Sequence, residues 1–462
     1  MGDYQSIWMQ AQALMTEGKL EESEALLRPL ADAKPHELNV RAALANVLNH
    51  QGQYAEAVDV LRYSGAVDCR DLPTQMALAV AYDKLGVDNA ALFHYNRMLE
   101  IDAHCPAAHW LRGFFLLKRG DVDPAWWRQG WADYEWGRIG GGGVAGAILG
   151  NPRPTRSLQP PWDGKPIPGK RLYVCREQGH GDAMMFSRFL PLIKERSQAT
   201  VIFETPQSLV RLFSGLAGVD VLVAQQAQLS FAAPFDEYMT LMSAVHVLGL
   251  GLEDVTPSAL VHAPGPTGSD ATQTRWGLGS MPHEAFAASS HRAETRSDPT
   301  ISRRRHSRVN DCVLSTDGRA NRGHLGTVGL CWKGSSGHPG DRQRSMAWET
   351  IKPIVEEFGD SCQFVSLLPG DSTLGEPFEG DFEVTRRRVA ECDLVISVDT
   401  SVAHLAGAMG VPTWNLLAHD NDYRWFLGRE DTPWYPLMRL FRQSAAGDWD
   451  GVIGRVCMEL RS

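Results

Sequence analysis

The sequence predicts an all-helical repeat array followed by two α/β halves. Three observations carry this. Glycines at 18, 52, 86 and 120 stand 34 residues apart each time. From Lys170 the helical texture gives way to short β-rich runs alternating with helices, and that alternation restarts at Val328. A length of 462 residues, at roughly 150 per domain, agrees with about three domains.

The repeat comes first. A helix is expected to begin fourteen residues before each glycine. Small or apolar positions precede the glycine in register: Ala11 and Leu14, Ala45 and Leu48, Ala79 and Tyr82, Gly113 and Leu116. Ser23, Ala57, Ala91 and Ala125 come after it, where a small residue lets the two helices of a pair approach closely. Pro35 closes the first unit. The period and pattern over residues 4–136 resemble four tetratricopeptide repeats, the last diverging into the aromatic run WWRQGWADYEW (Trp126–Trp136). Each helical pair cannot bury its apolar face alone, so stacking makes the core and leaves a concave surface. That surface reads either as a groove for a protein or peptide or as a cap on the α/β part of the chain. The aromatic run reads as packing rather than as a ligand platform.

Gly141–Gly146 spells G-x-G-x-x-G. The dinucleotide fingerprint requires a strand before it and a helix at its end, whereas here a helical repeat precedes and NPRPTRSLQPP comes next. It reads as a linker. Beyond it, LYVC (Leu172–Cys175), TVIFE (Thr200–Glu204) and VDVLVA (Val219–Ala224) are expected strands, with a helix from Asp182 to about Glu195. The second half runs VGLCW, helix Met346–Phe358, CQFVSLL (Cys362–Leu368), a helix, DLVISVD (Asp393–Asp399), helix Ser401–Met409, VPTWNLL (Val411–Leu417) and a final helix Trp449–Glu459. Alternating strands and helices imply βαβ units and parallel sheets. Two Rossmann-like halves in tandem place a cleft at the carboxyl ends of both sets of strands. Between them, Pro264–Thr327 holds nine Arg, no Lys and six acids, a composition expected to stay disordered.

Composition bounds the function classes. Apolar residues are 43 % and charged residues 22 % of the chain, which is globular. The net charge of −10 argues against nucleic acid as a partner. No apolar run approaches the roughly 20 residues of a membrane span, and no secretory signal is visible at the N-terminus. That terminus matches M-G-x-x-x-S, a short pattern that myristoylated chains share. Eight cysteines at 69, 105, 175, 312, 331, 362, 392 and 457 form no C-x-x-C pair. They read as reduced thiols of a cytoplasmic protein.

Three segments carry candidate chemistry. EQGHGDAMMFSRFLP (Glu177–Pro191) comes directly after a strand. Gly179 and Gly181 permit a tight turn and close backbone approach, and Asp182 is expected to cap the helix. A carboxylate there is stabilised as the anion, so it can accept a proton from an alcohol. DLVISVDTSVAHLAGAMGVPT (Asp393–Thr413) is again a strand running into a helix. Thr400 and Ser401 are expected caps, the next N–H groups make an anion site suited to a diphosphate, and His404 lies one turn in. KGSSGHPGDRQRS (Lys333–Ser345) supplies Lys333, Arg342 and Arg344, which can neutralise charge on a leaving phosphate. Each of these also has a structural reading: Asp182 as a plain cap, His404 as a packed helix residue, the cations as a solvated loop. No G-x-S-x-G elbow stands after any strand, which excludes that route to a Ser hydrolase.

Together with WDGKPIPGK (Trp162–Lys170) and GREDTPWYPLMRLFRQ (Gly428–Gln443), these segments look like bacterial tetratricopeptide-repeat glycosyltransferases. The catalytic part is similar to family 9 glycosyltransferases, which include the ADP-heptose:lipopolysaccharide heptosyltransferases. The resemblance spans residues 4–262 and 328–460. It implies a GT-B fold and metal-independent, inverting transfer from a nucleotide sugar, with no further cofactor. Asp182 would be the general base, with Asp399, Thr400, Ser401 and His404 on the donor side and Lys333 and Arg344 assisting the leaving group. The implied boundaries are 1–137 for repeats, 138–161 for a linker and 162–263 for an acceptor-side half, then 264–327 for the basic join and 328–462 for the nucleotide-sugar half. The repeats would help hold a protein or glycan acceptor. A repeat scaffold with a degenerate, non-catalytic transferase part is the competing expectation. Two departures from the family pattern stand out: the long basic join, and Asp381-Phe382-Glu383-Val384-Thr385, where Val384 replaces a second acid.

Overall fold

The computed structural model describes residues 2–62, 69–139, 159–225, 233–255, 326–338 and 340–461. The Gly141–Gly146 motif, Cys312 and nearly all of the basic join lie outside them. The chain divides into two compact units. One takes in Met1–Thr155 with Asp422–Leu427, the other Arg156–Asn421 with Gly428–Ser462.

Among its described residues the first unit holds the α-helices α1 (Gly2–Thr16), α2 (Leu20–Ala33), α3 (Leu38–His50), α4 (Tyr54–Arg62), α5 (Leu72–Lys84), α6 (Asp88–Ile101), α7 (Pro106–Leu117) and α8 (Pro124–Ile139). The 34-residue glycines explain the first three hairpins. Gly18, Gly52 and Gly86 take φ of 76°, 80° and 70°, the left-handed conformation that closes a helix without a Cβ clash. Each hairpin repeats one pair of bonds: Gly18 N–H to Met15 O and Lys19 N–H to Leu14 O, then Gly52 to Asn49 and Gln53 to Leu48, then Gly86 to Asp83 and Val87 to Tyr82. Ala11, Ala45, Ala79, Ala57 and Ala91 are fully buried between helices, and Ser23 donates to Ala11 O.

The fourth hairpin is closed differently. Gly120 has no left-handed φ; a Cβ there would meet Trp127 Cε3 at 2.9 Å, so glycine is kept for room rather than conformation. Ala125 is exposed, contrary to its expected packing role, and the close approach falls instead between Gly113 and Gly130. Trp127 and Trp131 are buried in an aromatic cluster. Within this unit Tyr423 meets Phe114 and Trp131 at centroid distances of 5.2 and 6.0 Å, and Phe426 meets Trp127 at 6.3 Å. The aromatic run is thus packing. Asp133 is wholly buried and accepts from His109 Nδ1 at 2.7 Å and from Arg112 at 2.7 and 2.9 Å.

The second unit holds two parallel sheets. In the first, β1 (Arg171–Cys175), β2 (Thr200–Thr205), β3 (Val221–Ala224) and β4 (Glu237–Thr240) lie in the order β3-β2-β1-β4. In the second, β5 (Thr327–Cys331), β6 (Gln363–Ser366), β7 (Leu394–Val398), β8 (Thr413–Leu417) and β9 (Met438–Arg442) lie in the order β6-β5-β7-β8-β9. Among the described residues all strand pairings are parallel. The uninterrupted burial of β7 and β8 suits strands covered on both faces. Helices connect them: α9 (His180–Phe186), α10 (Leu190–Ser197), α11 (Gln207–Val210), α12 (Ala244–Val247), α13 (Asp341–Arg344), α14 (Trp348–Phe358), α15 (Phe382–Ala390), α16 (Ser401–Ala408) and α17 (Trp449–Arg461). The expected single helix from Asp182 is instead α9, a 3₁₀ turn at Ser187–Phe189 and α10.

Candidate functional site

In each sheet the chain reverses its direction of travel once. From β1 it moves outward to β2 and β3, then returns to place β4 on the other side. From β5 it moves to β6, then returns to β7. Ligands of open α/β sheets bind outside the carboxyl ends of strands at such switch points. The segments after β1, β5 and β7 are the three that sequence reasoning singled out.

After β1, Gln178 carries the left-handed φ, at 57°, in the turn before α9. Gly179 is extended, so the tight turn expected of the glycines rests on Gln178. The Arg176 guanidinium donates to Gln178 O and fixes this strained residue. Gly179 is the residue that caps α9, and Asp182 sits three positions in rather than at the cap. Its Oδ2 accepts from Gly179 N–H at 2.8 Å, the reach-back half of a capping box. The carboxylate is buried and lies in the first turn, where the helix favours the anion. Glu177, in the same turn segment, is also buried and accepts from Met242 N–H at 3.2 Å.

After β7, Thr400 is the cap of α16 by position, yet its hydroxyl turns back into the sheet. It lies 3.1 Å from Ser397 Oγ and 3.7 Å from Cys331 Sγ. Burial pushes the Cys331 thiol up, so it stays protonated. Ser401 opens the helix. His404 is buried, its Nδ1 2.8 Å from the Tyr435 hydroxyl and its Nε2 4.0 Å from Asp399 Oδ1.

After β5, the loop is a folded element. Gly334 N–H donates to Ser345 Oγ, which donates to Asp341, and Arg344 pairs with Asp341 at 3.3 Å. Arg344 also donates to the backbone carbonyl of Asp399 at 2.8 Å, tying the β5 loop to the end of β7. Lys333 and Arg342 are exposed.

The first two segments meet. A Cβ at Gly181 would come within 2.4 Å of His404 Cδ2 and 3.2 Å of Nε2, so α9 and α16 touch through a glycine and an imidazole. Gly407 likewise lies under the Tyr435 ring. A second contact forms where His180 stacks on Phe382 with centroids 5.1 Å apart, donates to or accepts from Ser208 Oγ at 3.0 Å, and Arg211 pairs with Asp381 at 3.3 Å. Burial, with Arg176 nearby, pulls the His180 imidazole below its ordinary value. Asp381 caps α15 and Val384 packs under Gly380.

Sequence reasoning missed Arg188 and Tyr435. Arg188 is buried, donates to Met185 O and Trp434 O, and lies 5.2 Å from the Tyr435 ring centroid. Burial pulls its guanidinium down and the Tyr435 phenol, a hydrogen-bond partner, opposes this. The signal that could have found them was the Arg in SRFLP and the Tyr in PWYP, both inside segments that carry the family resemblance. Among the described residues no group of three or more His, Cys, Asp or Glu is placed to hold a metal ion.

No family model matches the sequence. Protein FlbA of Caulobacter vibrioides is 24 % identical over 494 aligned residues, covering 93 % of this chain and 74 % of that protein. Among solved structures, a MamA fragment from Desulfovibrio magneticus RS-1 is 19 % identical with a TM-score of 0.27. It covers 29 % of this chain and 76 % of its own. The family 9 glycosyltransferase from Veillonella parvula DSM 2008 is 12 % identical with a TM-score of 0.37, covering 64 % of this chain and 98 % of its own. No helix among the described residues is long and apolar enough to cross a membrane.

Proposed function

We propose that this chain is a glycosyltransferase that moves a sugar from a nucleotide sugar to a hydroxyl of a protein or glycan. The observation that supports the reading is the contact of α9 with α16, Gly181 against His404, between two helices that each open after a sheet strand, one with a carboxylate in its first turn. Displacement at a phosphorylated anomeric carbon uses both, a base for the acceptor hydroxyl and fixed donors for the leaving diphosphate. In this reading the acceptor O–H gives its proton to Asp182. The acceptor oxygen forms the new bond to the anomeric carbon as the bond from that carbon to phosphate breaks. The nucleoside diphosphate leaves with the electron pair. Its charge is met by the N–H groups opening α16 after Thr400 and Ser401, by His404 and by the exposed Lys333.

Attack opposite the leaving group inverts the anomeric centre. Fixed cations and N–H groups supply the charge neutralisation, so the proposed step is metal-independent and uses no cofactor beyond the donor. Arg344 acts by holding the Asp399 carbonyl, and through it the entry to α16. The GT-B arrangement and an acceptor presented by the repeats belong to the same proposal.

The test is thermal stabilisation of the purified protein by a panel of UDP-, GDP-, ADP- and CMP-sugars, followed by product analysis with the stabilising donor. A ligand that binds only the folded state raises its apparent stability, by about 2.7 kcal/mol at a hundredfold excess over Kd. One nucleotide class should stabilise selectively. Absence of a shift with every donor would favour the repeat scaffold with a non-catalytic α/β part.

A further inference from the structure

Residues 418–437, the connection from β8 to β9, are rich in aromatics: Tyr423, Trp425, Phe426, Trp434 and Tyr435 make five in twenty, against 9 % for the chain. They fall in two groups. Tyr423, Trp425 and Phe426 lie in Asp422–Leu427, a segment that belongs to the first unit while the chain on either side of it belongs to the second. Trp434 and Tyr435 belong to the second.

The first group is built into the repeats. Its three rings are buried. Tyr423 meets Phe114 of α7 and Trp131 of α8, and Phe426 meets Trp127 of α8. Asp422 opens the segment by accepting from Arg424 N–H at 3.1 Å. Phe426 has φ 56° and ψ −165°, torsions otherwise left to glycine, which a ring-bearing residue keeps only where its surroundings over-determine them. Leaving the repeats would release that strain, so a seated and a released segment are two discrete states.

The second group is built into the candidate site. The Tyr435 hydroxyl lies 2.8 Å from His404 Nδ1, Gly407 sits under the Tyr435 ring, and Trp434 O accepts from Arg188. The chain between the groups is short and tied. The Arg442 guanidinium on β9 donates to Asn421 Oδ1 at 2.6 Å and to Arg429 O at 3.2 Å, gripping the chain where it enters and leaves the segment. Leu440 N–H donates to Glu430 O at 2.7 Å, Arg429 pairs with Asp431 at 2.8 Å, and Trp434 N–H donates to Thr432 Oγ1 at 3.2 Å. Little slack is left between Leu427 and Trp434 to absorb a movement.

We infer that the β8–β9 connection is a coupling element: the seating of Asp422–Leu427 on α7 and α8 sets how Tyr435 holds His404, so that whatever loosens or tightens this hairpin of the repeats alters α16. Coupling is reciprocal, and a ligand at α16 alters the hairpin in turn. What binds the repeats, and that the ligand at α16 is a diphosphate, rest on the function proposed above; the coupling does not.

Hydrogen exchange, read by mass spectrometry on the full chain with no ligand added, tests this. Trp131→Phe and Tyr423→Leu perturb the seating contact from either side. Each should speed exchange in residues 428–437 and 401–409 by about fivefold or more, the lower end of coupling between linked sites, and leave β1 and β2 as in the wild type. Val47→Ala thins the repeat core at α3 and should leave both stretches unchanged. Unchanged exchange in 401–409 for both contact variants overturns the inference. So does an equal acceleration by Val47→Ala, which would mean general loosening. Calorimetric titration with inorganic pyrophosphate reads the consequence: Tyr423→Leu should bind it about fivefold more weakly than the wild type, and equal affinity overturns the effect on the site. Coupled exchange with no pyrophosphate binding even in the wild type would uphold the coupling while removing the transferase reading.

Discussion

Replacing Gly181 by alanine puts a methyl group where the structure has no room. The new Cβ would sit 2.4 Å from His404 Cδ2 and 3.1 Å from Cγ. The imidazole cannot swing aside freely, because Nδ1 is bound to Tyr435. Overpacking of this kind costs typically 1–3 kcal/mol. Against that, Gly181 lies in α9 without a left-handed φ, and alanine is favoured over glycine in a helix by about 0.8–1 kcal/mol. The net expectation is a destabilisation of about 0–2 kcal/mol. In a His404→Ala background the ring is gone and only the helix preference remains, so Gly181→Ala should be neutral or stabilising by up to about 1 kcal/mol. The double-mutant cycle should therefore give a coupling of about 2 kcal/mol. Calorimetric unfolding is the assay, read on the transition that His404→Ala alone displaces, since a chain of two units is not expected to unfold in one step. For a domain of 150–250 residues each kcal/mol moves Tm by about 2–4 °C. Additive effects of the two substitutions would refute the contact between α9 and α16.

Three other expectations rest on particular groups. Asp133→Ala should destabilise the repeat unit by about 3–5 kcal/mol, because it leaves Arg112 and His109 with a lost buried partner; loss of helical circular dichroism at lower temperature checks this. His180 has a folded value lowered from 6.5 by burial and by Arg176. Below about pH 6.5 the unfolded chain thus binds a proton the folded one resists, and stability present above that pH is lost as pH falls toward the folded value. Tm between pH 7.5 and 5 should fall more steeply in the wild type than in His180→Gln. Lys333→Ala should leave Tm within about 0.5 kcal/mol equivalent, since the side chain is exposed, while weakening pyrophosphate binding measured by calorimetric titration.

The helical array was legible because its glycines serve conformation. Gly18, Gly52 and Gly86 must adopt positive φ, and a backbone requirement leaves a periodic trace. Gly120 kept the period for another reason, contact with Trp127, and there the expected role of Ala125 failed. The buried strands β1, β2, β5, β7 and β8 showed as apolar runs, but β4 and β9 did not. β4 is four residues, EYMT, with one apolar aliphatic side chain, and β9, MRLFR, carries two arginines in five residues at the edge of its sheet. The site segments were visible as strand-to-helix junctions. Their inner geometry was not, because a cap and a third position differ only in local torsion: Gly179 took the place expected of Asp182. Nor can a sequence show that Gly181 touches His404 across 223 positions, or that Tyr435 and Arg188 close behind that ring.

The central claim, that Asp182 is the base of a transfer reaction, is tested most directly by comparing wild type and Asp182→Asn with the nucleotide sugar that stabilises the protein. Asparagine keeps an oxygen able to accept from Gly179 N–H and removes the basicity. Donor affinity should stay within about twofold, and transfer to the acceptor hydroxyl should fall by roughly 10²- to 10⁴-fold, the contribution typical of a positioned general base. Transfer at the wild-type rate by a folded, donor-binding Asp182→Asn protein would contradict the account.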